Sequence, residues 1–406
     1  MLKRLMMICG LCLFVILPRD IVYAEGERPW AFSIGAVESF DDNRDGVSAN
    51  KKSILETRIN PRADFKLYRD QADIDCYYSP QFLYRNNPRE EAGWRQKGTD
   101  LYHDLGAAIA YRWSERMTIN AAEAFNLSDI PADMDTSRTF HEFVTYWVNR
   151  VNLAATYEIL PKRAAVVIRG NNLVKKYRDD LYAETGDEKS FGGGVTARYV
   201  LKSGWTVVGD VVYSSTDLGE PTASLSRSAD VLSVGAAVER VFGLWSTRLR
   251  LGIDKSSSDI SGNAVTGGTM WSENETKPGG DIEIAYSTES GMTRVGLVSG
   301  YHTLRSDIVP FATQQRKSFE LSVNHSYSER IQLGLRGVYG QGEYDNTSFA
   351  AGGSDAVAAI GATMTYVWSR NLSVETSYRF EDWKADENIR ESYRRNILQL
   401  AMKAQF

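Results

Sequence analysis

The segment from Asn396 to Phe406 alternates without a break. In an extended chain successive side chains point to opposite faces, so Leu398, Leu400, Met402, Ala404 and Phe406 form one apolar stripe. Gln399, Ala401, Lys403 and Gln405 form the other face. This period predicts a strand, and a stripe that reaches an aromatic end needs lipid or a partner to cover it. Phe406, Ala404, Met402 and Leu400 are therefore expected to act as an assembly signal read by barrel-assembly machinery. Closure of the barrel would pair this strand with the first one.

The same period recurs from Trp30 onward. Leu372, Val374, Thr376, Tyr378 and Phe380 alternate with Ser373, Glu375, Ser377, Arg379 and Glu381. Ile331, Leu333, Leu335 and Tyr339 separate likewise from Gln332 and Arg336, as do Trp245, Leu249, Leu251 and Ile253 from Arg248, Arg250 and Asp254. Leu55, Ile59, Phe65 and Leu67 oppose Glu56, Arg58, Arg62, Asp64 and Lys66. Alternation is weak at 118–126 and 164–176. A soluble sandwich also alternates, so connector length decides.

Short connections at 69–71, 114–116, 160–163, 202–204, 243–244, 287–291, 328–330 and 369–371 take turns with longer polar segments. The latter fall at 43–51, 86–99, 128–139, 179–188, 216–225, 256–278, 305–315, 345–354 and 386–391. That rhythm predicts an all-β, transmembrane, antiparallel up-and-down β-barrel of about 18 strands, with both ends on the periplasmic side. Strands about 4.8 Å apart and tilted by about 40° give a backbone diameter of roughly 35 Å, which side chains cannot fill. Either water or inward-folded loops are expected to occupy the lumen, and no separate plug domain is expected ahead of Trp30.

Composition adds the destination. Lys3 and Arg4 precede an apolar run over 5–17, and Val22-Tyr23-Ala24 offers small residues for a signal peptidase, so 1–24 reads as a secretory signal and 25–406 as a single barrel domain. Cleavage would remove Lys3, Arg4, Arg19 and Asp20, net +2, taking the formal charge from -5 to -7. A chain this acidic shows no nucleic-acid footprint. Cys9 and Cys12 lie in the signal, leaving Cys76 without an internal disulfide partner. No later stretch is apolar for the roughly 20 residues a spanning helix needs, and only helices and closed barrels satisfy every backbone group in lipid. The expected location is the outer membrane of a Gram-negative-type bacterium, with outer-membrane lipid as a partner.

The inward faces carry the candidate site. Alternation assigns Arg58, Arg62, Asp73, Asp75, Arg198, Arg248, Arg250, Asp254, Arg294, Glu320, Arg336, Glu375 and Arg379 to the pore lining. With Lys66, Arg150, Glu56, Asp64, Asp104, Asp210, Glu239, Asp281 and Glu283 also assigned inward, bases and acids nearly balance, which suits neutral or mixed-charge solutes; mutual pairing across strands is the plainer role. On the outside, Trp30, Trp113, Trp147, Trp205, Trp245, Trp368 and Trp383 are placed in interfacial girdles. No cofactor is expected. Asp41, Asn43 and Asp45 before Gly46 match the opening of a calcium loop, but Lys52 stands where the bidentate Glu belongs, so a polar turn is expected and no metal. His103, His141, His302 and His325 are scattered singly without an ordering Asp, and Gly192-Gly193-Gly194 lacks a phosphate-loop Lys.

Five segments resemble the putative beta-barrel porin 2 family, often found in loci for exopolysaccharide assembly. They are Ser39-Phe40-Asp41-Asp42-Asn43, Arg58-Ile59-Asn60-Pro61, Tyr77-Tyr78-Ser79-Pro80, 110–116 and 155–163, within 30–175. The resemblance implies a monomeric outer-membrane channel exporting or admitting polysaccharide, and brings no catalytic residues. The expectation is a porin-like channel, not an enzyme, passing small polar solutes or polysaccharide. The alternative is a structural or adhesive barrel that binds partners through its loops; an outer-membrane hydrolase would share the fold.

Overall fold

The computed structural model describes residues 29–43, 46–87, 98–128, 145–178, 187–219, 225–262, 270–306, 308, 310–347 and 350–406. The signal segment 1–24 and Asp45 lie outside them, as does His141.

Alternating β-branched and aromatic residues put these segments into strands of 12 to 18 residues. They are β1 (Trp30–Asp41), β2 (Ile54–Tyr68), β3 (Ala72–Arg85), β4 (Thr99–Ser114), β5 (Met117–Ser128) and β6 (Tyr146–Leu160). Next come β7 (Ala164–Tyr177), β8 (Glu188–Val200), β9 (Trp205–Leu218), β10 (Leu225–Phe242), β11 (Trp245–Gly262) and β12 (Met270–Ser287). The last are β13 (Thr293–Arg305), β14 (Thr313–Ser326), β15 (Ile331–Tyr344), β16 (Gly353–Ser369), β17 (Leu372–Ala385) and β18 (Tyr393–Gln405). Each pairs antiparallel with its sequence neighbours, and β18 pairs with β1, so one sheet of 18 strands closes on itself. No helix occurs among the described residues.

Connections of two to five residues mark one rim and connections of six to seventeen mark the other, the periplasmic and extracellular ends of a bacterial barrel. In the two-residue turn 243–244, Gly243 takes φ +56°, the left-handed conformation that tight hairpins demand. The strand count and rhythm follow the alternation.

Two differences have physical causes. The polar segment 256–278, expected as a loop, is mostly strand: β11 runs to Gly262 and β12 starts at Met270. These strands, 18 residues each, exceed the 9–11 a membrane needs, so their upper outward positions, such as Lys255, Ser257 and Asp259, are polar because they stand above the lipid. The weak alternation at 118–126 and 164–176 has another origin. Outward positions there carry Glu123, whose Oε1 accepts from Asn149 Nδ2 at 3.0 Å, and Asn172, while the inward positions carry Ala122, Ala154 and Leu173.

Inside, the described hydrophobic clusters sit at the extracellular half. Leu83 packs with Tyr102, Tyr146 with Val148 and Leu173, and Val357 with Trp383 and Tyr393. In the periplasmic half the inward face mixes polar and small side chains with Tyr68, Val167, Val200 and Val208.

Candidate functional site

Strand register fixes which side chains share the lumen. Residues opposite one another in a ladder point the same way, so the inward set can be followed from strand to strand. Arg58 and Arg62 on β2 share the lumen face with Asp73 and Asp75 on β3. The same face carries Arg198, Arg248, Arg250, Asp254, Arg294, Glu320, Arg336, Glu375 and Arg379. Leu398, Leu400, Met402 and Ala404 lie on the outward face, with Phe406 bonded to Phe32 through its backbone N–H at 2.8 Å.

Most of the inward charges face a partner. On β8–β13 a ladder runs from Arg198 to Glu239 (3.6 Å), on to Arg248 (3.5 Å), and from Arg248 to Glu283 (3.1 Å). Above it, Arg250 holds Asp210 at 2.7 Å and approaches Asp281 at 3.8 Å. His302 lies 3.5 Å from Asp281 and 3.4 Å from Asp254. Glycine makes the ladder possible: a Cβ on Gly235 would sit 2.6 Å from the Arg250 guanidinium, and one on Gly279 2.6 Å from Asp254 Oδ2. Elsewhere Arg62 pairs with Asp64 at 2.8 Å, Arg336 with Glu320 at 2.9 Å and Arg379 with Glu381 at 2.9 Å, while Arg58 pairs with Glu56. Glu375 accepts from Thr365 at 3.2 Å.

The inward bases Arg85, Arg169, Arg227, Arg316 and Arg395 are not in the pore lining assigned from alternation. Arg316 and Arg395 sit in Arg-Lys and Arg-Arg dipeptides, where alternation does not say which residue points in. Arg395 is almost buried and its Nε donates to Asp41 at 2.8 Å, tying β18 to β1. Asp41 is thereby occupied, and Asn43 spends its amide on the carbonyls of Val47 and Arg394. Arg316 reaches Asp355 at 2.9 Å, both with almost no exposure. Trp383, assigned to a girdle, instead points inward, 2% exposed, stacked on Tyr393 at 5.9 Å and covered by Arg390. Its neighbours Asp382 and Lys384 face outward above the lipid, where charge is tolerated and an apolar anchor is not required. His103 lies on the outward face, 3.0 Å from the Tyr78 hydroxyl.

The upper end of the β13–β14 hairpin leaves the wall. β12 pairs with β13 only between Gly280 and Ser287; above that level β13 turns inward. Pro278 occupies the edge so opened, a position where proline is tolerated. Thr303 N–H donates to Asp254 Oδ2 at 3.0 Å, and the Ser258 and Thr313 hydroxyls meet at 3.1 Å. Arg227 donates to the carbonyls of Ile308 (3.0 Å) and Phe311 (2.8 Å), and Ala312 packs on Ala229 and Ile260. The tip also packs with Tyr344 at the top of β15 and with Ile389 of the β17–β18 connection. A strut of the barrel's own chain thus crosses the extracellular mouth.

Below it, the wall of β3–β9 is hollowed into a recess of about 450 Å³. Two lateral rows of inward side chains floor it. Asp73, Ala110, Asn120, Ala154, Arg169 and Gly194 are successive register partners, as are Asp75, Ala108, Ala122, Asn152, Asn171 and Gly192.

Comparison with known proteins places these features. The family model described as "Putative beta-barrel porin 2" matches residues 288–406, the closing strands where alternation is cleanest. Residues 30–175, which carry the resemblance noted in the sequence, lie outside the match. No curated protein matches. Among solved structures, the FrpB iron transporter from Neisseria meningitidis superposes with a TM-score of 0.52 at 9% identity, over 94% of this chain and 83% of that one. OpdK of Pseudomonas aeruginosa with vanillate gives 0.47 at 10% identity, and a BenF-like porin from Pseudomonas fluorescens Pf-5 gives 0.47 at 12%; each covers 93% of this chain and 99% of its own. At such identity the likeness is one of fold alone, and the FrpB superposition shows that fold to be a closed β-barrel.

Proposed function

We propose that this porin-like outer-membrane barrel is a passive channel for small polar solutes, narrowed at its extracellular mouth by the β13–β14 hairpin. The observation that carries the reading is the inward hairpin over a wide polar lumen. A ring of 18 strands is about twice the number whose interior side chains fill, and here the inward face carries charged pairs, amides and alanines. The charged side chains around it neutralise one another in ladders, so no single sign repels small ions or dipolar solutes.

A strut fixed to β8, β10 and β11 favours small solutes over a moving polymer. Polysaccharide export, which the family resemblance raised, would require that strut to swing away. Among the described residues the inner wall is made of charge ladders and amides, which favours transport over catalysis.

The test is conductance in planar bilayers of the purified barrel beside a variant in which 306–312 is replaced by a tight turn. Stable open steps in the wild type, enlarged in the variant, are expected. If both are silent while folded, the channel reading fails and a structural or adhesive barrel becomes the better account. Passage of a polysaccharide chain through the unaltered barrel would overturn the size limit.

A further inference from the structure

Resting on the channel reading, we infer that the recess on β3–β9 is a solute-binding subsite for short zwitterionic peptides of about three residues. Its two ends carry opposite charge. Asp73 and Asp75 stand at the β3 end and Arg169 at the β7 end, and none of the three has an ion-pair partner among the described residues. That contrasts with the ladder on β9–β12 and the Arg316–Asp355 pair, where carboxylates and guanidiniums satisfy each other.

Between the ends lie groups suited to a peptide backbone. Asn120, Asn152 and Asn171 each present an amide donor and an acceptor to the lumen, and no hydrogen bond in the described structure occupies them. Ala108, Ala110, Ala122 and Ala154 alternate with them and leave the trough open. The recess contains no aromatic ring on which a sugar face would stack.

Length follows from register. Asp73 and Arg169 occupy one lateral row four strands apart, about 19 Å between backbones at the usual strand spacing. An extended tripeptide spans about 10 Å, and the length of an Asp and an Arg side chain is enough to bridge the remainder. Its ammonium would meet the two aspartates and its carboxylate the guanidinium, which Arg holds bidentately. A recess of about 450 Å³ is within the size range of small-molecule sites.

The experiment is calorimetric titration of the full chain, folded in detergent, with triglycine, with N-acetyl-triglycine amide and with maltotriose. Triglycine should bind tightest, and Arg169→Gln or the pair Asp73→Asn, Asp75→Asn should each weaken it by about fivefold, the size expected of a solvated ion pair. Arg169→Lys should recover most of the loss. Equal binding of the capped peptide, tighter binding of maltotriose, or no effect of the variants would overturn the inference. Binding is read without current, so a silent bilayer with triglycine bound would sink only the channel reading. Conductance without any preference for triglycine would sink only the subsite.

Discussion

Arg305, at the top of β13, lies 3.0 Å from the carboxylate of Glu188, at the top of β8, with four strands of the wall between them. The contact is a chord across the lumen. It joins a hairpin that has left the sheet to a strand on which Glu188 is nearly buried, so the pair is shielded from solvent on one side.

Arg305→Ala should therefore free the hairpin. A charge-assisted contact of this kind contributes roughly 1.5–3 kcal/mol, so open-channel noise and mean conductance should both rise in bilayer recordings. Exchanging the residues, Arg305→Glu with Glu188→Arg, should restore quiet steps. Unchanged traces in the single variant would mean that Arg227 and the backbone contacts hold the strut alone.

The closing seam offers a second test. Arg395 and Asp41 are both nearly buried between β18 and β1. Arg395→Ala leaves the Asp41 carboxylate without that cation, and breaking a buried pair this way costs about 3–5 kcal/mol. Urea unfolding followed by heat-modifiable gel mobility should show it. Changing both residues to Leu should cost less than either single change; the reverse order would show that the pair is not the seam's anchor.

Sidedness is testable one residue at a time. Arg at Tyr378 or Leu333, both outward, should lose roughly 2–4 kcal/mol of barrel stability, whereas Arg at Ser377 or Gln332, both inward, should cost little. Similar losses on both faces would contradict the register.

The glycines under the ladder make the fourth. A Cβ on Gly252 would lie 2.4 Å from the backbone oxygen of Val234, which cannot move aside as a side chain can. Gly252→Ala should destabilise by roughly 1–3 kcal/mol, while Ala at Gly209, with nothing within 4 Å, should be tolerated. Equilibrium unfolding of the two variants side by side decides it.

The faces of Leu333 and Gln332, or of Leu400 and Gln399, could be read from sequence because a period of two is local: each residue's side is set by its neighbours. The strand number followed for the same reason, since turns and loops announce themselves in composition. Local patterning stops where both faces carry similar residues. On β5–β8, Glu123 and Asn172 point outward and Ala122 and Leu173 inward, so hydrophobicity does not reveal the face. In Arg394-Arg395 and Arg316-Lys317 either residue fits either side.

What remained was decided by pairing between distant strands. That Asp73 and Arg169 share one row depends on four successive registers, and that Arg395 meets Asp41 depends on closure of the ring. The inward turn of 303–313 is no property of that segment's own pattern. It arises because Asp254, Ser258, Arg227 and Glu188, from three other strands, present the partners that satisfy its polar groups inside the lumen.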